Sequence, residues 1–254
     1  MEKQSVVMKN KVYVVLPAYN EELSIGRLLN RIDNHLSSFG INYSIIVVND
    51  GSQDNTLKVV QDLQKKFPIE ILNHEVNMGL GCTIRDGLYH ASKIANGEDI
   101  VITMDADDTH TPGLILRMSR MIQEGFDVVI ASRYQPNSRV IGLSLSRRFY
   151  SYVASWIFRI LLPIKGVKDF TCGFRAFRAS VLHQAMDKYQ NSFIDQEGFQ
   201  SMVDILLKLR KIDGLIFGEV PFILRYDLKE GRSKMDVKKT MFNTAKLIIR
   251  RRLS

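Results

Sequence analysis

An apolar run that ends in paired carboxylates occupies residues 100–110, Ile100-Val-Ile-Thr-Met-Asp105-Ala-Asp107-Asp-Thr-His110. This run is typical of a buried strand that carries the two aspartates at its carboxyl end, the edge where open α/β sheets bind ligands. The pattern favours Asp107 as the ligand of Mg²⁺ or Mn²⁺ and Asp105 as a contact to a ribose or a metal-bound water. A solvated acidic turn is the alternative.

Strands and helices alternate on both sides of this stretch. Besides the strand that begins at residue 100, strands are predicted at residues 12–21, 44–48, 69–72 and 127–131, and helices at 23–36, 56–67, 78–94 and 112–124. Short connections between them imply right-handed crossovers and a mostly parallel, doubly wound sheet. The glycine patterns of dinucleotide-binding and P-loop proteins are absent, which disfavours those two classes.

The pattern changes after residue 133. Residues 144–164 form an amphipathic segment that Arg147, Arg148 and Arg159 interrupt and Pro163 ends. It is too short and too charged to span a membrane. It therefore either lies in a membrane interface or packs on the sheet. A return strand is predicted at residues 169–177, a helix at 197–211, a strand at 215–224 and a basic helix at 237–252.

The positive charge of the chain is concentrated at its end. The net charge of the 254 residues is +8, and residues 225–254 hold ten Lys and Arg against three Asp and Glu. No nucleic-acid motif accompanies this basic segment, so an anionic membrane surface or a phosphorylated substrate is the favoured partner and nucleic acid is not. Two cysteines and an N-terminus without an apolar signal core indicate a cytoplasmic protein. The basic C-terminal segment then favours a peripheral position at the inner face of the membrane.

Four motifs occur in order along the chain: Pro17-Ala-Tyr-Asn-Glu21, Asn49-Asp50-Gly-Ser, Asp105-Ala-Asp107 and Ala131-Ser-Arg133. Together they resemble the inverting family 2 glycosyltransferases with a GT-A fold, and within that family the dolichyl-phosphate mannose synthases and the bacterial polyprenyl-phosphate glycosyltransferases. The resemblance covers roughly residues 12–234. It implies a Rossmann-like GT-A domain at residues 1–224, with an acceptor-side interfacial segment at about 139–165, and a basic loop with an amphipathic C-terminal helix at 225–254.

The resemblance also implies a donor site. Asp105 and Asp107 would hold Mg²⁺ or Mn²⁺, and Asp107 and Arg133 would be the catalytic residues. The nucleotide sugar would contact Pro17, Ala18, Tyr19, Glu21, Asp50, Asp105, Ala106, Asp107, Arg133, Arg225 and Lys234. One departure is Thr109, since relatives usually carry a glutamine ligand there; Asp108 or a water is the expected substitute.

Two kinds of acceptor remain open. A phosphate monoester is already ionised and needs cations to position it, whereas a sugar hydroxyl needs a general base. Arg147 and Ser151 resemble the lipid-phosphate site of the mannose synthases. Asp195 and Glu197, ahead of a predicted helix, are the candidate bases for a hydroxyl acceptor, although they could also only stabilise that helix.

The expected function is metal-dependent, inverting transfer of a hexose from a nucleotide sugar to a polyprenyl phosphate. GDP-mannose is the favoured donor and a UDP-sugar the second. Peripheral contact with the membrane is expected, and a membrane partner subunit is a further candidate. The alternatives are transfer to a saccharide hydroxyl with Asp195 or Glu197 as base, and a catalytically silent membrane-associated scaffold, against which the intact aspartate pair argues.

Overall fold

The computed structural model describes residues 9–230, 243–244 and 246–247, and only the backbone of residues 145–150. The strands are β1 (Val12–Ala18), β2 (Tyr43–Asp50), β3 (Ile69–His74), β4 (Ile100–Thr103), β5 (Val128–Ser132), β6 (Arg139–Ile141), β7 (Arg175–Arg178), β8 (Phe217–Pro221) and β9 (Ile223–Arg225). The α-helices are α1 (Ile25–Ser38), α2 (Thr56–Gln64), α3 (Leu80–Ile94), α4 (Leu114–Gln123), α5 (Leu145–Leu161), α6 (Ala179–Tyr189) and α7 (Ser201–Leu209).

One seven-stranded sheet, in the order β3-β2-β1-β4-β7-β5-β8, forms the centre of the molecule, and β6 pairs with β9 in a second sheet. Neighbouring strands of the large sheet are parallel, except that β7 runs antiparallel to both β4 and β5. The predicted mostly parallel α/β sheet is confirmed. Because β7 is reversed, the chain that precedes it lies at the same edge as the carboxyl ends of β4 and β5.

Periodic apolar residues explain why helices pack on this sheet. Every residue of β2 and of β4 is buried, as expected for strands covered on both faces. Helix α1 buries one stripe of side chains, Ile25, Leu28, Leu29, Ile32 and Leu36. Helix α3 approaches β1 so closely that a Cβ on Gly87 would lie 2.5 Å from Cγ1 of Val15. This packing fixes where the first turn of α3 meets the ends of the strands.

The structure corrects three predicted elements. The return strand begins only at Arg175, because the Asp169 carboxylate accepts the backbone N–H groups of Thr171 and Cys172 and turns the chain into a loop. The strand predicted at 215–224 is divided between two sheets, as β8 and β9. Helix α6 was not predicted at all. The basic helix predicted at 237–252 falls outside the described residues, except for four helical positions at 243–244 and 246–247.

Helix α5 packs by one face and leaves the other open. Phe158 and Ser155 are buried, and the Phe158 ring stacks on Phe170 at 5.5 Å. On the opposite face lies an exposed apolar stripe, Tyr152, Val153, Trp156, Ile157 and Ile160. Within the described residues, no helix has the length and apolar character needed to cross a bilayer. One face of the helix thus packs on the protein, while a place for the exposed stripe in a membrane interface stays a prediction.

Candidate active site

Three adjacent parallel strands deliver the first group of predicted site residues. β1 lies between β2 and β4, so Pro17–Glu21, Asp50 and Asp105–Asp107 follow strand ends at one edge of the sheet. Loop contacts hold the first two together: the Asn20 N–H donates to Ser52 Oγ at 3.0 Å, and the Glu21 N–H to Thr56 Oγ1 at 2.8 Å. The structure thus brings these predicted donor contacts together at one edge of the sheet, and the space between these loops is called the cleft below.

Asp50 is the most tightly held of these side chains. Its carboxylate accepts the backbone N–H groups of Met78 and Gly79, both at 2.9 Å, and lies 2.8 Å from Nδ1 of His74. His74 in turn contacts Asp86 through Nε2 at 3.1 Å. Asp50 therefore fixes the entry to α3 and the wall of the predicted base pocket, while base recognition by Asp50 stays a prediction.

The aspartate loop, residues 104–110, presents its two carboxylates differently. The Asp105 side chain is 47% accessible, and His110 supports it from beneath. Nδ1 of His110 accepts the Asp105 N–H at 3.2 Å, Nε2 lies 3.4 Å from Oδ2 of Asp105, and the imidazole stacks on Phe174. The Asp105 carboxylate thus faces the open cleft with its backbone held in place.

Asp107 is enclosed by partners on both oxygens. Oδ1 accepts the hydroxyl of Thr109 at 2.7 Å, and Oδ2 forms an ion pair with Lys229. Only 10% of the Asp107 side chain and 15% of the Lys229 side chain are accessible. Sequence reasoning missed Lys229, because 122 positions separate it from Asp107 and its only local signal is the basic composition of the C-terminal segment.

The two carboxylates have opposite pKa shifts. The surrounding protein removes water from part of the Asp105 carboxylate, and this desolvation together with the charge of Asp107 raises the pKa of Asp105, although His110 opposes the shift. Burial also opposes ionisation of Asp107, but Lys229 and His110 outweigh it and hold the pKa of Asp107 below its ordinary value. Burial would lower the pKa of Lys229, yet Asp107 outweighs burial and raises it. Asp107 and Lys229 are therefore both charged at neutral pH.

This donor set fits a hard divalent cation held mostly by its substrate. The described residues contain no cluster of three or more His, Cys, Asp or Glu suited to a metal. Mg²⁺, however, is often bound by one or two carboxylates and completes its sphere with water and phosphate oxygens. Asp105 and Asp107 are the two carboxylates that could fill this role. Asp108 does not substitute for a further ligand, because its backbone φ of +58° turns the side chain towards Arg27 and Arg31.

Arg133 follows β5 and lies against a buried carboxylate. Its guanidinium donates to both oxygens of Asp169, at 2.7 and 2.8 Å, and to Thr171 Oγ1 at 2.6 Å. Asp169 is fully buried, and Arg133 outweighs that burial, so the pKa of Asp169 is lowered. Asp169 is a second residue that sequence reasoning missed: it was assigned to a strand, although a carboxylate at the start of an apolar strand is itself unusual.

Ser151 connects this region to α5. Its hydroxyl lies 2.7 Å from the phenol oxygen of Tyr134, and that phenol also donates to the Ser151 carbonyl at 2.8 Å. The Tyr134 ring lies beneath the guanidinium groups of Arg133 and Arg159. Arg147 is placed one turn before Ser151 by the backbone of α5. Tyr134 therefore joins the predicted donor side to the predicted acceptor side.

The predicted C-terminal contacts are only partly described. The Arg225 side chain pairs with Asp227 at 2.8 Å, while its backbone N–H donates to the carbonyl of Thr109 at 3.0 Å. Arg225 thus reaches the aspartate loop through its backbone, with its guanidinium directed to a carboxylate of the protein. Lys234 lies outside the described residues.

The two candidate bases lie on a segment that crosses the start of α3. Asp195 pairs with Lys208 at 3.2 Å and accepts from Gln196. These hydrogen bonds and the Lys208 charge outweigh desolvation and lower the pKa of Asp195 to about 2. Glu197 is exposed, and its carbonyl accepts the N–H of Gly81 at 2.8 Å. A carboxylate with so low a pKa is a weak acceptor of a hydroxyl proton.

Comparison with known proteins identifies the family. The family model described as Glycosyl transferase family 2 matches residues 13–185. The chain belongs to glycosyl transferase family 2. The resemblance drawn from the four motifs is therefore confirmed, and the cleft at the ends of β1, β2 and β4 lies within the matched part of this family 2 chain.

Two curated relatives share most of this family 2 chain. Dolichol-phosphate mannosyltransferase of Pyrococcus furiosus is 34% identical over 241 residues, which is 94% of this chain and 63% of the relative. Polyprenol monophosphomannose synthase of Mycolicibacterium smegmatis is 29% identical over 248 residues, 96% of this chain and 89% of the relative. The chain thus spans less than two thirds of the length of the Pyrococcus furiosus protein.

A solved structure confirms the GT-A-like fold. Glucosyl-3-phosphoglycerate synthase from Mycobacterium tuberculosis, in complex with Mn²⁺, UDP and phosphoglyceric acid, superposes with a TM-score of 0.66 at 20% identity. The match covers 96% of this chain and 78% of that one. Another structure of that protein contains Mg²⁺ and UDP.

Proposed function

We propose that this chain transfers a hexose from a nucleotide sugar to a polyprenyl phosphate at the cytoplasmic face of a membrane, with inversion at the anomeric carbon. Mannose is the favoured sugar, because the names of the two relatives include it. GDP-mannose is the favoured donor and a UDP-sugar the second. Residues 1–224 would supply the catalytic domain, and residues 225–254 the basic loop and helix.

The observation that carries this proposal is the position of the apolar stripe on α5. The stripe lies on the same helix as Ser151, which Tyr134 links to Arg133. From Tyr152 to Ile160 it extends over about 12 Å at 1.5 Å per residue. A phosphate group at Ser151 would therefore have an apolar surface beside it for its polyprenyl chain, and the same surface would contact lipid.

The donor side of the cleft supplies the remaining chemistry. Asp105 and Asp107 would hold the divalent cation, which neutralises the diphosphate leaving group. Pro17–Glu21 and Asp50 would position the nucleoside. The acceptor phosphate is already ionised, so no residue has to remove a proton from it, and basic side chains only have to place it behind the sugar.

The direct test measures lipid-linked product. Purified protein is incubated with labelled GDP- or UDP-sugars and a short polyprenyl phosphate, with Mn²⁺ or Mg²⁺ and, in parallel, with chelator. Lipid-extractable label that requires the divalent cation would support the proposal and identify the donor. Nucleotide binding without lipid product across the whole donor panel would overturn the polyprenyl phosphate acceptor, and no nucleotide binding at all would favour the catalytically silent scaffold.

We expect Asp195→Asn and Glu197→Gln to keep the rate of transfer to lipid phosphate within about twofold of the wild type. A base for a saccharide hydroxyl would be indispensable at one of these positions, whereas in the proposed reaction neither contacts the acceptor. Initial rates with the lipid acceptor test this expectation. A loss of about a hundredfold or more in either variant would point to the saccharide alternative.

We expect the protein to bind anionic vesicles through the apolar stripe. Trp156 is the single tryptophan of the chain and lies half exposed on the stripe, so its fluorescence reports insertion directly. Vesicles containing phosphatidylglycerol should shift its emission to shorter wavelength, and Ile160→Lys should abolish the shift because it places a charge within the stripe. An unshifted spectrum of the wild type on these vesicles would contradict this placement.

A further inference from the structure

The segment that carries Lys229, residues 226–230 and here called the strap, lies against the aspartate loop and contacts it directly through Lys229. Just before the strap, the Arg225 N–H donates to the Thr109 carbonyl. Within it, Lys229 pairs with Asp107. Glu230 contacts Arg27, whose Nε lies 2.6 Å from Oδ2 of Asp108. The strap and the residue before it are therefore linked to the aspartate loop by one direct ion pair, one backbone hydrogen bond and one bridging arginine.

Lys229 and a divalent cation need the same carboxylate. Thr109 engages Oδ1 of Asp107 and Lys229 holds Oδ2, so a cation that binds Oδ2 would meet the Lys229 ammonium. Two cations at hydrogen-bond distance from one oxygen repel each other strongly where water is limited. The ammonium thus provides the positive charge that the carboxylate requires before a metal ion arrives.

The strap is weakly enough attached for Lys229 to move. In the Arg27–Glu230 pair, 44% of the arginine side chain and 41% of the glutamate side chain are accessible. Ion pairs with so much exposure contribute little stability. A lysine side chain has a flexible stem and three donors, so a small movement redirects it to a new anion. The diphosphate of a donor bound to the same cation would be the nearest such anion.

We propose that Lys229 exchanges partners during donor binding: it neutralises Asp107 in the free protein and binds the donor diphosphate once a divalent cation occupies Asp107. Lys229 is thereby a donor-binding residue whose position depends on the metal. This inference rests on the proposed function only in requiring a nucleoside diphosphate and a divalent cation in the same cleft. The sugar and the acceptor do not enter into it.

Two binding measurements test the exchange without any turnover. Mn²⁺ binding is followed by electron paramagnetic resonance without nucleotide, and GDP or UDP binding by calorimetry at saturating Mn²⁺. Loss of the competing ammonium in Lys229→Met should tighten Mn²⁺ binding by about tenfold. Loss of a charged donor to phosphate should weaken nucleotide binding by about tenfold in the same variant.

Matched variants make the result specific. Lys229→Gln repeats the loss of charge with a polar side chain. Lys229→Arg retains the charge and should stay near the wild type in Mn²⁺ binding. Lys58→Met is the matched control, because it removes an exposed lysine from α2. Unchanged or weaker Mn²⁺ binding in both neutral variants would show that Lys229 does not compete with the cation for Asp107. Unchanged nucleotide binding in both would show that Lys229 does not bind the donor diphosphate. If both binding shifts occur while no lipid-linked sugar forms in the wild type, the exchange is supported and the proposed acceptor is overturned.

Discussion

Asp107→Asn is expected to lower the rate of sugar transfer by about a thousandfold, the scale seen when a group that stabilises developing charge is removed. The amide keeps the shape of the side chain and can still accept from Thr109. It carries no negative charge, however, and its NH₂ group can take the place of Oδ2, which faces Lys229 and would face a cation. Initial rates with labelled donor, over a range of Mn²⁺ concentrations, measure the loss.

The loss should persist at saturating Mn²⁺, because the amide cannot reproduce the charge of the carboxylate. Asp62→Asn is the matched control: it makes the same chemical change on the exposed face of α2, where Asp62 pairs only with Lys65 at 2.8 Å. Thermal unfolding of both variants verifies that the fold is retained. An Asp107→Asn protein with a tenth or more of wild-type activity would contradict a central role for this carboxylate.

Asp169→Asn is expected to reduce the free energy of unfolding by about 3–5 kcal/mol at neutral pH, the usual consequence of removing one partner of a buried ion pair. The Asp169 carboxylate accepts two bonds from the Arg133 guanidinium and three from backbone N–H groups, those of Arg133, Thr171 and Cys172. An amide cannot accept all of these, so the Arg133 charge would lose its partner. Urea unfolding at neutral pH measures the difference.

The difference should shrink in acid, and the sign follows from the lowered pKa of Asp169. A carboxyl group whose pKa is lower in the folded than in the unfolded protein stabilises the fold when it is ionised. This contribution is complete above the pKa of the unfolded state, about 3.9, and is lost as the pH falls through the pKa of the folded state. The difference between wild type and variant should therefore begin to narrow below about pH 4 and close only below the folded pKa of Asp169. Asp187→Asn on the exposed side of α6 is the control. A difference below about 1 kcal/mol at neutral pH would mean that the loop is held by other contacts.

The first five strands could be predicted from the sequence because each is an apolar run closed by turn residues, a signal that is local. The three-residue strands β6 and β9 are too short to show a period, so their pairing is set by the tertiary structure alone. The loop at 169–174 was predicted as strand because its apolar residues suit one. Its turn depends on hydrogen bonds to Asp169, which the apolar pattern does not reveal.

The same distinction applies to the candidate site. Asp105 and Asp107 could be identified because two carboxylates at the end of a buried strand are conspicuous in any sequence. Lys229 and Asp169 could not, since each acts on a partner distant in the chain, and only folding brings a basic C-terminal segment onto the aspartate loop. Arg133 was predicted to contact the donor; its pairing with Asp169 has to be known before that role can be tested.

The reversed strand β7 has a consequence for how this protein can be altered. β5 and β7 are paired neighbours, with Ile130 opposite Arg175, so residues 133–174 leave the sheet and return to it at adjacent points. This excursion contains α5 and Ser151, whereas the aspartate loop and Asp50 belong to other strand connections. Because its two ends are fixed side by side, we expect the excursion to be exchangeable. Grafting it from a relative, with Arg133 and Asp169 retained, should change the proposed acceptor preference while Asp50 and the aspartate loop keep their contacts.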